Sequence, residues 1–265
     1  MTKELKIFTA GVAMGAADQT VSQWNVKNPD FPAKLSPGGS VAGVKQYLAG
    51  EAFDVLIVAD EGLITSLLMP QEASGYAVFA GNKMVVVAGP NQSIDSTNWV
   101  EKLTDPKAVF AHFDPVADPG GYRAVLAMSL ADHFQPGLSK KLLEHPGRLI
   151  LTKPGPPGTG PVFDYIFGYY SMAKKRGASF AQLPEVMDLS ADALAATYAE
   201  AEFRIDERTV IRGAPIAHAL AIPAKAPNPV QALEWSQLFL AQDFSALGFL
   251  PRQRLVGSLW PSERI

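Results

Sequence analysis

Residues 155–162 read GPPGTGPV and, for six positions, spell the phosphate-binding loop of an ATPase. Such a loop needs a Lys that reaches the β- and γ-phosphates and a Ser or Thr hydroxyl that holds Mg²⁺. Those two positions are Pro161 and Val162 here, and a proline also removes one backbone N–H from the phosphate cradle. We therefore interpret the stretch as a stiff proline-glycine loop and not as a nucleotide site.

Residues 38–42 read GGSVA and nearly spell the G-x-S-x-G elbow of serine hydrolases, but the last position is Ala42. The sequence pairs Ser40 with none of its histidines, which are His112, His133, His145 and His218. A Ser at the start of a helix is a common cap, and its hydroxyl and the neighbouring amides can face an anion. Since no catalytic base can be placed, we predict that Ser40 binds a ligand and that the protein is not an enzyme.

The stretch HFDPVAD places His112, Asp114 and Asp118 within seven residues, all of them potential metal ligands. Their spacing matches no standard ligand pattern, and no second cluster completes a coordination shell. Solvation of a strand end and a helix cap explain the three residues, so we predict no metal and no cofactor. Tyr122 and Arg123, just inside the next helix, either contact a ligand or pack within the fold.

The composition narrows the range of partners. The 265 residues carry a net charge of −3 with a pI near 5.8, which gives no electrostatic basis for binding nucleic acid or an anionic membrane. Without cysteine the chain has no disulfide and no thiolate nucleophile. The longest apolar runs, VLIVA and MVVVAG, are too short to span a bilayer, so we expect no membrane insertion.

The first residues, MTKELKIFTAG, enter a strand at once and lack the apolar core of a signal peptide. Two expectations follow for the location of the protein. Either it is cytoplasmic, or this is a mature chain from which a leader has been removed.

Strand patterns alternate with helix patterns along the chain, which predicts an α/β fold with largely parallel sheets. The predicted strands are Leu5–Ala10, residues 54–59 and Lys107–Phe113, and a β-hairpin is predicted over Glu202–Arg212 with its turn near Asp206–Arg208.

Three helices follow from periodicity and capping signals. The first covers residues 40–50, with Ser40 at the N-cap and Val41, Val44 and Leu48 on one face. The second begins near Gly121 and carries Leu126, Leu130 and Phe134 at i+4 spacing, and the third begins with Asn228 as the cap and Pro229 in the first position.

Several strands end in small or polar residues that open directly into a helix, namely 9–13, 38–40, 59–62 and 118–122. In open α/β sheets, ligands collect at the carboxyl ends of the strands. The unpaired N–H groups and the positive dipole end of a helix make such corners natural anion sites. The pattern favours binding of an anion over bond-breaking chemistry.

Four segments resemble, in this order, the molybdate/tungstate-binding proteins of ABC importers, in particular the tungstate/archaeal-type branch. They are residues 38–64, 98–131, 163–190 and 213–240, and the similarity extends to LGFLP at 247–251. The most specific parts are the D-P-x-G-Y-R element that begins at Asp118 and the S-V-x-x-V-K helix start at Ser40.

The resemblance implies an α/β, type II periplasmic-binding-protein fold, with two lobes around a ligand cleft joined by hinge strands. Lobe I would comprise residues 1–80 plus about 205–265, and lobe II about 81–204. The hinge strands would lie in residues 79–89 and in a return segment before residue 215. The resemblance further implies a monomeric, periplasmic or extracytoplasmic protein that passes its ligand to an ABC permease with a separate ATPase subunit.

In that family an oxyanion is held by backbone amides and hydroxyls from helix starts, and the archaeal-type branch adds two carboxylates. Ser40 and one carboxylate, Asp118, are present here. Three positions depart from the family pattern: Val12 and Ala59 stand where hydroxyl residues are expected, and Gly168 stands where a Glu is expected. Each lost hydroxyl removes a hydrogen bond worth about 0.5–1.5 kcal/mol.

The expected binding set therefore comes from both lobes. Lobe I supplies Gly11, Val12, Ser40, Ala59 and Asp60, and lobe II supplies Asp118, Tyr122, Arg123, Gly168 and Tyr169. The ligand predicted is a small oxyanion of the molybdate/tungstate type, bound through backbone amides. Two alternatives stay open: a pocket enlarged for a small organic ligand, with Val12, Tyr122 and Tyr169 as walls, or a sensing module of the same fold that reports to a signalling partner.

Overall fold

The computed structural model describes residues 4–152 and 162–259. The predicted proline-glycine loop lies outside the described residues except for Val162. The described chain forms two compact units, one made of the residues up to Gly81 and from Ala217 onward, the other of Asn82–Ile216. We call them unit 1 and unit 2. The chain crosses between them at Gly81–Asn82 and at Ile216–Ala217.

Strands and helices alternate through most of the described chain. The strands are β1 (Leu5–Ala10), β2 (Ala33–Gly38), β3 (Val55–Val58), β4 (Gly75–Gly81), β5 (Met84–Ala88), β6 (Phe110–Phe113), β7 (Arg148–Leu151), β8 (Tyr165–Tyr169), β9 (Phe180–Gln182), β10 (Glu202–Arg204), β11 (Val210–Arg212), β12 (Ala217–Ala221) and β13 (Arg254–Gly257). The helices are α1 (Met14–Lys27), α2 (Ser40–Leu48), α3 (Glu61–Leu67), α4 (Trp99–Thr104), α5 (Pro119–Ser129), α6 (Leu138–Leu143), α7 (Tyr170–Arg176), α8 (Glu185–Asp188), α9 (Ala195–Tyr198) and α10 (Pro229–Leu240). Short 3₁₀ turns cover Gly11–Ala13, Leu130–His133 and Asp192–Leu194.

Unit 1 contains a six-stranded sheet in the order β13-β4-β12-β3-β1-β2. β1 pairs in parallel with both β2 and β3, whereas β12 pairs antiparallel with β3 and β4. Every residue of β3, β4 and β12 is buried, which explains why these strands read as continuous apolar runs. The predicted strand Leu5–Ala10 is confirmed, and the strand predicted over residues 54–59 is confirmed at Val55–Val58.

An aromatic cluster anchors the core of unit 1. Phe79 of β4 lies 5.1 Å from Phe239 and 4.9 Å from Phe244 between ring centroids, and Trp235 stacks on Phe239 at 5.5 Å. All four rings are at most 4% exposed. The predicted helix start at Pro229 is confirmed, but the Asn228 side chain does not cap the helix and instead contacts the buried carboxylate of Asp54.

Helix α2 packs closely against β1 through a glycine. A Cβ built on Gly43 would lie 2.2 Å from Cζ of Phe8, a ring that is 2% exposed. The predicted inward face is confirmed for Val41 and Val44 but was wrong for Leu48, which is 47% exposed. Tyr47 takes the buried position because the helix ends at residue 48 and Gly50 turns the chain with φ of +104°.

Unit 2 contains a five-stranded sheet in the order β7-β6-β8-β5-β9 and a separate hairpin, β10-β11. β6 pairs in parallel with β7 and β8, and β5 pairs antiparallel with β8 and β9. The predicted hairpin is confirmed. β10 contacts α5, so it belongs to unit 2, and the second crossing lies later in the sequence than the expected boundary near residue 205.

Two predicted elements of unit 2 differ in their bounds. β6 begins at Phe110 and not at Lys107, because Asp105 accepts hydrogen bonds from the Lys107 and Ala108 amides and closes a turn there. Helix α5 begins at Pro119, two residues earlier than predicted, and the chain tightens into a 3₁₀ turn at Leu130. Phe134 lies beyond that turn and is 47% exposed, so its predicted place on the apolar face was wrong.

His112 of β6 is fully buried with one ring nitrogen unpaired. Its Nδ1 lies 2.7 Å from the Phe113 carbonyl, which can only accept, so Nδ1 carries the proton. Nε2 has no hydrogen-bond partner among the described residues. Burial lowers the pKa of His112 below 6.5, and the charge of Arg148 lowers it further, although the Phe113 carbonyl and Asp114 act in the opposite direction.

We expect Gly43→Ala to lower the free energy of unfolding by about 1–3 kcal/mol, because the added methyl group overpacks the Phe8 ring. The better helix propensity of alanine, about 1 kcal/mol, acts in the opposite direction. Gly11→Ala serves as the control, since a Cβ there meets no atom within 4 Å. Chemical denaturation of both variants measures the effect, and unchanged or higher stability of Gly43→Ala would contradict the packing argument.

We also expect His112 to make the folded state less stable as the pH falls below 6.5. In that range His112 binds a proton in the unfolded chain but not in the folded protein. The free energy of unfolding therefore rises with pH, by at most about 1.4 kcal/mol per pH unit. Denaturation between pH 7.5 and 5.5 should show a shallower slope for His112→Phe than for the wild type. Equal slopes in the two proteins would refute the assignment.

Candidate functional site

Three strand ends of unit 1 lie side by side. Because β1 pairs in parallel with its two neighbours, Ala10 is opposite Gly38 of β2, and Thr9 is opposite Ile57 of β3. The residues that follow these ends are the predicted ligand residues Gly11–Val12, Ser40 and Ala59–Asp60. The structure therefore brings the unit 1 part of the predicted site together at one edge of the sheet.

Two of the helix starts at this edge have no side-chain cap. Gly39 occupies the N-cap position of α2, and Ala10 precedes the 3₁₀ turn that leads into α1; neither start has an acidic residue in its first turn. The first amides of α2, at residues 40–42, have no acceptor within the helix because of helix geometry. Together with the helix dipole, these amides favour a negatively charged ligand.

The other predicted anion corners are capped by their own carboxylates. Asp60 accepts a hydrogen bond from the Gly62 amide at 2.9 Å, and Asp118 accepts one from the Gly120 amide at 2.7 Å. These aspartates bring negative charge to the starts of α3 and α5. The starts of α2 and of the Gly11–Ala13 turn are therefore better suited to an oxyanion than those of α3 and α5.

Ser40 is fully buried, and its hydroxyl joins two of the corners. It is the first residue of α2 and not the N-cap, so the predicted capping role was wrong. Its Oγ accepts a hydrogen bond from the Ala59 amide at 2.9 Å. In the part of the chain that the structure describes, no acceptor receives the Ser40 hydroxyl proton. A buried hydroxyl with an unused donor at an uncapped helix start is suited to donating to an anion.

The Ala59 peptide groups are held on both sides. The amide is engaged by Ser40 Oγ, so it is not the simple ligand donor that the sequence suggested. The carbonyl oxygen lies 2.8 Å from Nδ1 of His218 on β12, a residue that the sequence did not implicate. A single histidine within an otherwise apolar strand segment, PIAHALAIP, was the available signal.

In unit 2, β6 and β8 are parallel, so their carboxyl ends share one edge. Asp118 at the start of α5 is partly exposed, and desolvation raises the pKa of its carboxyl group, against the opposing effects of the Gly120 amide and the Arg123 charge. A Cβ on Gly120 would lie 3.4 Å from the Tyr169 ring and 3.5 Å from the Phe113 ring. The start of α5 is thus flanked by two aromatic side chains.

Arg123 and Tyr169 form a pair beside this helix start. Arg123 Nη1 donates to Tyr169 Oη at 3.0 Å, and the guanidinium carbon lies 5.9 Å from the centroid of the same ring. Arg123 is 3% exposed and Tyr169 is 6% exposed, while Tyr122 is fully buried. The structure brings Asp118, Arg123 and Tyr169 together at the start of α5.

Gly168, on β8, leaves open space where a side chain would be. A Cβ there would meet one nearby atom, Cγ2 of Val87 at 3.9 Å, and the backbone φ is not in the left-handed region. The position therefore accepts a Cβ without a clash, and the backbone does not require a glycine there.

The sequence cluster His112, Asp114 and Asp118 does not form a metal site. Asp114 accepts from the amide of Val116, Asp118 caps α5, and His112 is turned to the Phe113 carbonyl. Within residues 4–152 and 162–259, no three His, Asp or Glu side chains converge in a metal-binding group. None of the helices in these ranges combines the length and the hydropathy needed to cross a bilayer.

Solved structures share this fold. The periplasmic molybdate-binding protein of Azotobacter vinelandii matches with a TM-score of 0.69 and 18% identity, over 94% of this chain and 100% of that one. The sulfate-binding protein SubI of Mycobacterium tuberculosis H37Rv matches with a TM-score of 0.62 and 14% identity, over 93% and 86%. These likenesses confirm the predicted α/β periplasmic-binding fold.

Sequence comparison identifies the family. A solute-binding protein of Petrotoga mobilis is 30% identical over 248 residues, which cover 86% of this chain and 76% of the relative. A Haloferax volcanii protein named for molybdenum binding in an ABC transporter is 30% identical over 177 residues, 63% of this chain and 56% of the relative. A family model described as bacterial extracellular solute-binding protein matches residues 5–243. The chain therefore belongs to the bacterial extracellular solute-binding protein family.

Proposed function

We propose that this solute-binding protein captures a small tetrahedral oxyanion of the molybdate/tungstate type and delivers it to an ABC permease. At the level of the family, the role is to bind a solute and not to transform it. The family description also supports an extracytoplasmic location, and we propose that the protein acts there as a monomer.

One observation carries the proposal: the buried hydroxyl of Ser40. Its oxygen accepts a hydrogen bond from the Ala59 amide, and its proton has no acceptor among the described residues. Ser40 also lies at the uncapped start of α2, next to the uncapped turn at Gly11–Ala13. A ligand oxygen with negative charge satisfies the hydroxyl and the first amides of α2 at the same time.

The charge distribution of unit 1 favours an anion whose oxygens are bound by neutral donors. Neither of the two uncapped starts has an acidic residue in its first turn. The Val12 side chain is partly buried against the unit 1 core and has no hydrogen-bond donor. The Ser40 hydroxyl and the first amides of α2 recognise a tetrahedral dianion by their arrangement. They do not require the further hydroxyls that Val12 and Ala59 lack.

The choice of molybdate or tungstate over sulfate is also part of the proposal. It is supported by the molybdenum-binding name of the Haloferax relative and by the molybdate-binding Azotobacter structure. The SubI match keeps sulfate as the principal competitor, because that ligand has the same charge and shape.

A second candidate is a small organic anion. The observations that favour it are in unit 2, where the Phe113 and Tyr169 rings flank the start of α5 and the Gly168 position is open. Aromatic rings beside a buried Arg123 suit a carboxylate that carries an apolar body. Under this candidate, an organic acid would bind more tightly than any inorganic oxyanion.

A thermal-shift series with molybdate, tungstate, sulfate, phosphate and small organic acids separates the two candidates. Ligand at a hundred times its dissociation constant adds about 2.7 kcal/mol of stability, which for a chain of this length raises the melting temperature by several degrees. We expect molybdate and tungstate to give the largest shifts. Shifts with organic acids alone would favour the second candidate and contradict the first.

We expect Ser40→Ala to weaken binding of the preferred oxyanion about ten- to a hundredfold, the range for a hydrogen bond to a charged group. Isothermal titration calorimetry measures the change. Ser22→Ala is the matched control, because that hydroxyl is exposed and bonds the Asp18 carbonyl within α1. Wild-type affinity in Ser40→Ala would remove the main support for the proposal.

Asp118→Asn tests whether the Asp118 carboxylate takes part in binding. Asparagine removes the negative charge but can still cap α5. If the start of α5 itself binds a plain oxyanion through neutral donors, removal of the negative charge should tighten the binding of molybdate and sulfate alike, by severalfold.

The opposite result would have a different meaning. A tenfold loss of affinity for molybdate and tungstate, with no loss for sulfate, would make Asp118 a ligand of the molybdenum or tungsten atom of the oxyanion. Gly168→Glu then supplies the matched test, since a Cβ at this position meets no atom closer than 3.9 Å. Unchanged affinity in Asp118→Asn would remove Asp118 from the site.

A further inference from the structure

His218 is held rigidly inside unit 1. It is fully buried on β12, and its ring lies 6.0 Å from the Phe79 ring with an interplanar angle of 28°. The Phe249 ring meets it edge-on at 5.6 Å. β12 is itself fixed by its antiparallel pairing with β3, in which Ala219 is opposite Val58. The imidazole therefore has little freedom to move relative to the end of β3.

The hydrogen bond of His218 has a defined direction. Nδ1 lies 2.8 Å from the Ala59 carbonyl oxygen, and a carbonyl can only accept. Nδ1 must therefore carry a proton and donate it to that oxygen. The bond ties the β3–α3 corner to a side chain that is 159 residues away in sequence.

The carbonyl that His218 holds is part of the peptide unit that carries the Asp60 amide. A trans peptide is planar, and its C=O and N–H groups point in opposite directions. With the Ala59 carbonyl directed at His218, the Asp60 N–H must point away from the imidazole. The preceding peptide is fixed as well, because its N–H, the Ala59 amide, is bound by Ser40 Oγ.

We propose that His218 is a positioning residue for the solute site, which orients the Ala59–Asp60 peptide and, through the Ala59 amide, the hydroxyl of Ser40. The inference deepens the proposed function and rests on it. With Ser40 Oγ accepting from a fixed amide, the hydroxyl proton is directed away from Ala59 and is available to the ligand. A site built on such fixed donors loses less conformational freedom when the anion binds.

Two variants separate a positioning role from a merely structural one. His218→Asn keeps an N–H donor close to the place of Nδ1 but loses the ring between Phe79 and Phe249. His218→Phe keeps the ring and loses the donor. Without ligand, we expect a higher melting temperature for His218→Phe than for His218→Asn. The molybdate affinity measured by calorimetry should fall at least tenfold in His218→Phe and less than threefold in His218→Asn.

Hydrogen exchange of ¹⁵N-labelled protein without ligand supplies a readout that does not depend on the proposed function. The Ala59 and Asp60 amides should exchange at least tenfold faster in His218→Phe than in His218→Asn, with Leu56 of β3 as the internal reference. If the wild type bound no oxyanion but the two variants differed in exchange as expected, the proposed ligand would be wrong and the positioning role of His218 at the corner would stand. If affinity and exchange followed the melting temperature in both variants, the positioning role would be overturned.

Discussion

The parallel pairing of β1 with β2 on one side and β3 on the other is the constraint on which the unit 1 site depends. It places three carboxyl ends at one sheet edge, with Ala10 opposite Gly38 and Thr9 opposite Ile57. Each of the three strands is followed by a helical segment at this edge. Helix α2 packs closely on Phe8 because residue 43 is a glycine, and Ser40 at the start of the same helix accepts a hydrogen bond from the Ala59 amide. The strand register places the ends of β2 and β3 on either side of the end of β1.

Helix starts at such an edge are not equivalent, and capping decides which of them can take an anion. An aspartate that accepts from its own helix both occupies an amide and neutralises the local dipole, as Asp60 and Asp118 do. The start of α2 and the Gly11–Ala13 turn lack such a group. The same sequence pattern, a strand that opens into a helix, therefore has two different electrostatic outcomes in this fold.

The sequence was sufficient for the fold class and for the expectation that the predicted unit 1 ligand residues lie at one edge of the sheet. Apolar runs and capping residues gave β1, α10 and the β10–β11 hairpin, because these features are encoded within a few residues. Contacts between residues that are distant in the sequence could not be predicted from such local features. Neither the bond from the Ala59 amide to Ser40 nor that from His218 to the Ala59 carbonyl has a local signature. Leu48 is exposed because α2 ends at that residue, and Phe134 is exposed because it follows a 3₁₀ turn. The ligand roles of Asp118, Arg123 and Tyr169 remain predictions.

The central claim is that a negatively charged solute is held at the start of α2 by Ser40. Anomalous scattering from crystals grown with tungstate tests it most directly, because the tungsten atom marks the ligand without an assumption about its contacts. The account predicts a tungsten peak with one ligand oxygen within hydrogen-bonding distance of Ser40 Oγ and the others facing the amides of α2 or of Gly11–Ala13. A tungsten peak elsewhere in the molecule, with the Ser40 corner unchanged, would contradict it.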